Sequence, residues 1–127
     1  MTDEEILGHL RSFLALQGQL VRAHREGGAS TAVTVSGLAF DVRSHGDGLL
    51  FLSDKLRVDV PHGLENTEFA DPDRMFDYLR SRGLISSATS RQSARESIAA
   101  SFARLAARGA LRVRVDEVGR RLYAVAR

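Results

Sequence analysis

Residues 31–60 read TAVTVSGLAFDVRSHGDGLLFLSDKLRVDV, and they decide the fold class. Val33 and Val35, then Leu38, Phe40 and Val42, then Leu56, Val58 and Val60 fall at every second position, with Thr, Asp, Arg and Ser between them. In an extended chain alternate side chains point to one face, so this spacing predicts strands with one apolar side. The clusters Ser44-His45-Gly46-Asp47-Gly48 and Ser53-Asp54-Lys55 are rich in turn formers. Together they predict an antiparallel meander of three or four strands from about Thr31 to Val60, solvated on one face. Pro61-His62-Gly63 closes it.

Helical spacing flanks the meander on both sides. Thr2-Asp3-Glu4-Glu5 has the form of a capping box, in which the hydroxyl and the glutamate satisfy each other's backbone N–H groups. A helix to about Glu26 follows, with Ile6, Leu10, Phe13, Leu14, Leu20 and Val21 on one face and Gln17 interrupting the stripe. After the meander, Asp71-Pro72 suits a helix start, because the carboxylate can cap and proline fits the first helical position. Met75, Phe76 and Leu79 give that helix its apolar face, and Gly83 stops it. Past the link Ser86–Ser90, a third helix of about Arg91–Arg108 turns Ile98, Phe102, Leu105 and Ala106 inward and ends at Gly109. Leu111, Val113 and Val115 alternate with Arg112 and Arg114, Gly119 marks a turn, and Leu122–Val125 returns as a terminal hairpin. The expectation is one α+β domain, 1–127: N-terminal helix, antiparallel meander, two helices and a β-hairpin, with Phe13, Phe40, Val58, Phe76, Phe102 and Leu105 in a shared core.

At 127 residues and 43% apolar the chain can bury one core. No apolar run is long enough to span a bilayer, and the acidic start is unlike an export signal, so the expected location is cytoplasmic. The chain has no cysteine, which excludes disulfides, thiolate metal sites and thiol nucleophiles. Lys55 is the lone lysine among 18 basic residues. Charge is uneven: residues 1–90 hold 9 basic and 13 acidic residues (−4), residues 91–127 hold 9 and 3 (+6).

Candidate chemistry is sparse. His45-Gly-Asp-Gly joins two strands, whereas a phosphate cradle needs amides at a helix N-terminus, so Gly46 and Gly48 are expected to supply positive φ in a tight turn. His9, His24, His45 and His62 lie on different elements without ligand spacing. Asp41 and Asp59 alternate with inward residues and should face solvent; no serine sits in a nucleophile elbow. No enzyme, cofactor or metal is implied. Two surfaces remain. The acidic run Glu65, Glu68, Asp71, Asp73 and Asp77 reads either as helix-start carboxylates in a solvated loop or as a docking patch for a basic partner, with Glu65, Glu68, Asp73 and Asp77 as its contacts. Residues 71–127 have the order of a winged helix-turn-helix, in which Arg91, Gln92 and Arg95 would enter the major groove and Arg112 and Arg114 would grip phosphates.

Five segments also carry a resemblance: Phe40-Asp-Val-Arg-Ser-His45-Gly46-Asp47-Gly48, Arg57-Val58-Asp59-Val60, Phe69-Ala-Asp71-Pro72-Asp73-Arg74-Met75, Phe102-Ala-Arg-Leu105-Ala-Ala-Arg-Gly109-Ala-Leu111 and Leu122-Tyr123. In this order they resemble a bacterial family known as domain of unknown function 6896. Asp73 stands where that pattern has tryptophan, and Ala70 separates Phe69 from Asp71. The resemblance implies no activity, but similar small domains often accompany polymorphic toxins as immunity proteins. The functional expectation is therefore a module that binds a cognate protein, a toxin domain that it neutralises; the alternative is a winged-helix DNA binder.

Overall fold

A computed structural model describes residues 1–28, 31–61 and 68–126. Helix α1 spans Asp3–Glu26, and its capping box forms as expected, with the Thr2 hydroxyl accepting from the Glu5 amide and the Glu5 carboxylate from the Thr2 amide. Strands β1 (Ala32–Val35), β2 (Leu38–His45), β3 (Gly48–Leu52) and β4 (Arg57–Val60) make a four-stranded antiparallel sheet in sequence order. Helices α2 (Pro72–Ser81) and α3 (Arg91–Ala107) follow, then the antiparallel hairpin of β5 (Leu111–Val115) and β6 (Arg121–Val125). The α+β architecture is thus helix, meander, two helices and hairpin.

Each element buries the face its spacing marks. Val33, Val35, Phe40, Val42, Phe51, Val58 and Val60 line the inner side of the sheet and join one apolar cluster with α1, α2, α3, Leu111 and Tyr123. All six residues expected to share the core belong to it. Helix α1 bridges the two halves. Near its C-terminus His24 meets Phe51 of β3 edge-on at 6.1 Å, and Phe13 packs against Tyr78 of α2 at 4.9 Å. Its first turn is tied to α3: Ser101 and Arg104 donate to Asp3 at 2.6 and 2.9 Å, and Arg108 pairs with Glu4.

Several side chains depart from the alternation. Leu38 is exposed, at the first position of β2 after the tight Ser36-Gly37 turn. Val113 and Val115 are also exposed, while Leu122, Tyr123 and Ala124 are all buried. The inner strand of the hairpin is β6: Ala70 pairs with Tyr123 on its other side through reciprocal backbone bonds of 2.8 and 2.9 Å. Gly46 has φ +60°, but Gly48 does not serve positive φ; a Cβ there would lie 2.2 Å from the Val60 carbonyl oxygen. Its glycine allows strands β3 and β4 to close together at the end of the turn.

Candidate functional site

The two surfaces marked by the sequence meet each other. Arg91 of α3 pairs with Asp77 at 2.6 Å and with Asp73 at 3.5 Å, and its guanidinium lies 4.6 Å from the centre of the Phe76 ring. Arg95 pairs with Asp73 at 3.0 Å. Gln92 donates to Glu96 one turn along. Arg112 of β5 pairs with Glu68 at 3.0 Å. The acidic contacts Glu68, Asp73 and Asp77 and the basic contacts Arg91, Arg95 and Arg112 are therefore partners within the fold; Glu65 lies outside the described residues. Exposed pairs of this kind are worth about 0–1 kcal/mol each, so they can open. At rest, however, their fields largely cancel, and neither patch presents the concentrated charge that would steer a polyanion or a basic protein.

The hairpin arginines have a second role. Phe69, Leu122 and Ala124 form a small apolar cluster apart from the main core. Arg112 and Arg114 lie over the Phe69 ring at 5.6 and 4.7 Å from its centre. At these distances the guanidinium groups make cation–π contacts with the ring, so these residues are engaged in packing as well as in charge.

Sequence reasoning missed Arg74. It follows the Asp71-Pro72 helix start and is only 9% exposed. Asp71 caps α2 as expected, its Oδ1 accepting from the Arg74 amide at 2.8 Å. The Arg74 side chain then turns inward: Nε donates to the Asp59 carbonyl of β4 at 2.9 Å, Nη1 donates to the Phe69 carbonyl at 3.1 Å, and the guanidinium sits 5.5 Å from the Phe13 ring centre. Burial pushes its pKa down to about 10, partly opposed by the carboxylates of Asp71 and Asp59. It remains a cation at neutral pH. One side chain thus joins the sheet, α1 and the start of α2. Arg120 extends the network from the hairpin, reaching Asp71 at 3.7 Å and Asp116 at 2.8 Å.

Asp59 is half-buried rather than solvent-facing, with His45 Nε2 at 3.8 Å and Arg57 at 3.5 Å from its carboxylate. His45, Asp59, Asp71 and Arg74, drawn from three of the motif segments quoted above, line a cleft of about 360 Å³ with Arg120. Among the described residues no group of three or more His, Asp or Glu side chains could hold a metal ion. No described helix is long and apolar enough to cross a membrane.

Apolar exposure is concentrated elsewhere. Val113, Val115 and Val118 are 48, 60 and 81% exposed, and all three belong to the hairpin and its turn. The signal for this was present in the unbroken apolar run Leu122-Tyr123-Ala124-Val125, which marks β6 as buried on both faces and leaves β5 as the edge. No family model, no curated protein and no solved structure matches the chain.

Proposed function

We propose that the protein works by binding another protein, without chemistry of its own, and that the terminal hairpin is its docking surface. The observation that carries this reading is that Val113, Val115 and Val118 are all exposed on one edge strand and its turn. Exposed apolar side chains grouped on one element cost solubility and commonly mark interaction surfaces. The charged residues, by contrast, are largely satisfied within the fold. The neutralisation of a cognate toxin domain is the form of this function that the family resemblance supports; it rests on that resemblance alone.

One observation favours a second reading. The order α1, the paired residue Ala70, α2, α3, β5 and β6 is that of a winged helix, with the meander inserted after the first helix. Against DNA binding stand Asp73 and Asp77, which hold Arg91 and Arg95 at the start of α3, and the acidic Asp116 and Glu117 in the wing turn. Capture from the native host, at a salt concentration that strips phosphate contacts, separates the readings. The protein-binding reading expects a stoichiometric protein partner that is lost on Val113→Asp with Val115→Asp. Sequence-preferring binding to duplex DNA that falls steeply with salt and is lost on Arg91→Ala with Arg95→Ala would replace it.

A further inference from the structure

We infer that the partner docks by adding an extended strand to the outer edge of β5, and that this strand alternates apolar residues with Asp or Glu. The inference rests on the protein-binding reading and specifies its mode.

The hydrogen-bond register decides which backbone groups of β5 are free. Ala126 donates to the Ala110 carbonyl at 3.0 Å, and Asp116 donates to the Arg120 carbonyl at 2.9 Å. Between these two pairs the ladder runs without a bulge, Leu111 opposite Val125 through Val115 opposite Arg121. Hydrogen-bonded and non-hydrogen-bonded pairs alternate in an antiparallel ladder, so Arg112 and Arg114 direct their N–H and C=O groups at β6. Leu111, Val113 and Val115 direct theirs the other way, and no described strand pairs with that edge. On the four-stranded sheet the equivalent edge at β4 is closed, since Arg74 Nε occupies the Asp59 carbonyl. Among the described residues the β5 edge has no such cover, no proline and no bulge, the usual devices that block strand addition. Main-chain bonds to an added strand would supply affinity, and its alternate side chains would supply choice of partner.

The side chains select the occupant. Across the edge, a partner strand would set residues beside Val113 and Val115 on one face and beside Arg112 and Arg114 on the other. A second copy of this chain fits badly: two-fold pairing about Val113 places Arg112 opposite Arg114 of the other copy, twice, and like charges directly opposite repel. A strand with apolar residues facing the valines and carboxylates facing the arginines is complementary on both faces. A guanidinium has five N–H donors, so the contacts that Arg112 and Arg114 already make within the fold, such as the pair of Arg112 with Glu68, leave donors for a second carboxylate.

The test uses two labelled synthetic peptides, acetyl-Val-Glu-Val-Asp-Val-amide and its analogue with Lys in place of both acids, titrated against the full chain by fluorescence polarisation. The acidic peptide is expected to bind about tenfold more tightly, a few-fold for each of two cross-strand charge pairs. Its binding should slow hydrogen exchange at the Leu111, Val113 and Val115 amides. Val113→Pro removes an edge N–H that the hairpin does not use, a place where strands tolerate proline, and should abolish binding. Should that variant fail to fold, amide exchange in the wild-type chain decides. Absence of binding, protection at other amides, or no preference for the acidic peptide overturns the inference. A native partner lost on Val113→Asp with Val115→Asp but retained by folded Val113→Pro also overturns strand addition, while leaving protein binding by the hairpin intact.

Discussion

Replacing Arg74 by methionine keeps most of the unbranched stem and removes every donor. Two effects oppose each other. The Asp59 carbonyl loses its charged donor at 2.9 Å, at about 1–3 kcal/mol for an acceptor left without a partner, while the Phe69 carbonyl loses its donor at 3.1 Å but keeps the longer bond from Gln17 at 3.5 Å, at roughly 0.5–1.5 kcal/mol. Contact with the Phe13 ring contributes roughly 0.5–2 kcal/mol more. Asp71, only 4% exposed, loses the favourable charge of Arg74 and keeps its ion pair with Arg120 at 3.7 Å. On the other side, removing the cation relieves the desolvation that lowers its pKa to about 10, worth on the order of 3 kcal/mol. Losses of about 2–6 kcal/mol stand against about 3 of relief, and with the favourable charge beside buried Asp71 also gone Arg74→Met should destabilise the fold by about 1–3 kcal/mol. For a chain of this size that is a fall of roughly 4–15 °C in Tm. Calorimetry and urea unfolding, with Arg11→Met on the exposed face of α1 as a control expected within about 0.5 kcal/mol, would measure it. A midpoint for Arg74→Met within about 2 °C of wild type, or above it, would show that desolvation governs this site and refute the account of Arg74 as the joint between sheet and helices.

Phe102→Ala empties a fully buried site against Tyr123 and should cost about 3–5 kcal/mol by the same unfolding assays; an unchanged midpoint would place α3 outside the core. Asp71→Ala should lose about 0.5–2 kcal/mol for the cap alone. Asp71→Asn keeps the cap but removes the carboxylate beside Arg74, so it too should destabilise, by about 1–2 kcal/mol, and a neutral result would reduce Asp71 to a simple cap. Hydrogen bonds from Arg104 and Ser101 hold the Asp3 carboxyl below its ordinary pKa of 3.8. The unfolded chain therefore binds the proton first, and the contact's contribution is full above the ordinary carboxylate range and lost as pH falls below about 3.8. Acid titration of Tm should show a shallower fall below pH 4 for Asp3→Asn than for wild type.

Much of the fold was legible because local signals agreed with each other. The capping box at Thr2, the Asp71-Pro72 start and the period of two in residues 31–60 each have one physical reading, and the fold adopts it. The hairpin was read correctly as an element, without a choice of which strand lies inside. Alternation alone assigns Val113 and Val115 to the core, whereas pairing of β6 with Ala70 decides that β5 is the edge. The candidate site was harder. Glu68, Asp73 and Asp77 were visible as an acidic run and Arg91, Arg95 and Arg112 as a basic one. Their pairing depends on the packing of α2 on α3 and of the hairpin on Phe69, across separations of up to 44 residues. Arg74 lies in a stretch that also looks like an exposed helix start, and only the fold turns it inward.

Hydrogen exchange by mass spectrometry on the chain alone and in complex with its captured partner tests the central claim most directly. If the hairpin is the docking surface, added protection should be greatest in residues 111–118, with little change in the first turns of α3 around Arg91 and Arg95. Protection centred on residues 91–95 with β5 unchanged would contradict the account and point to α3 as the recognition element.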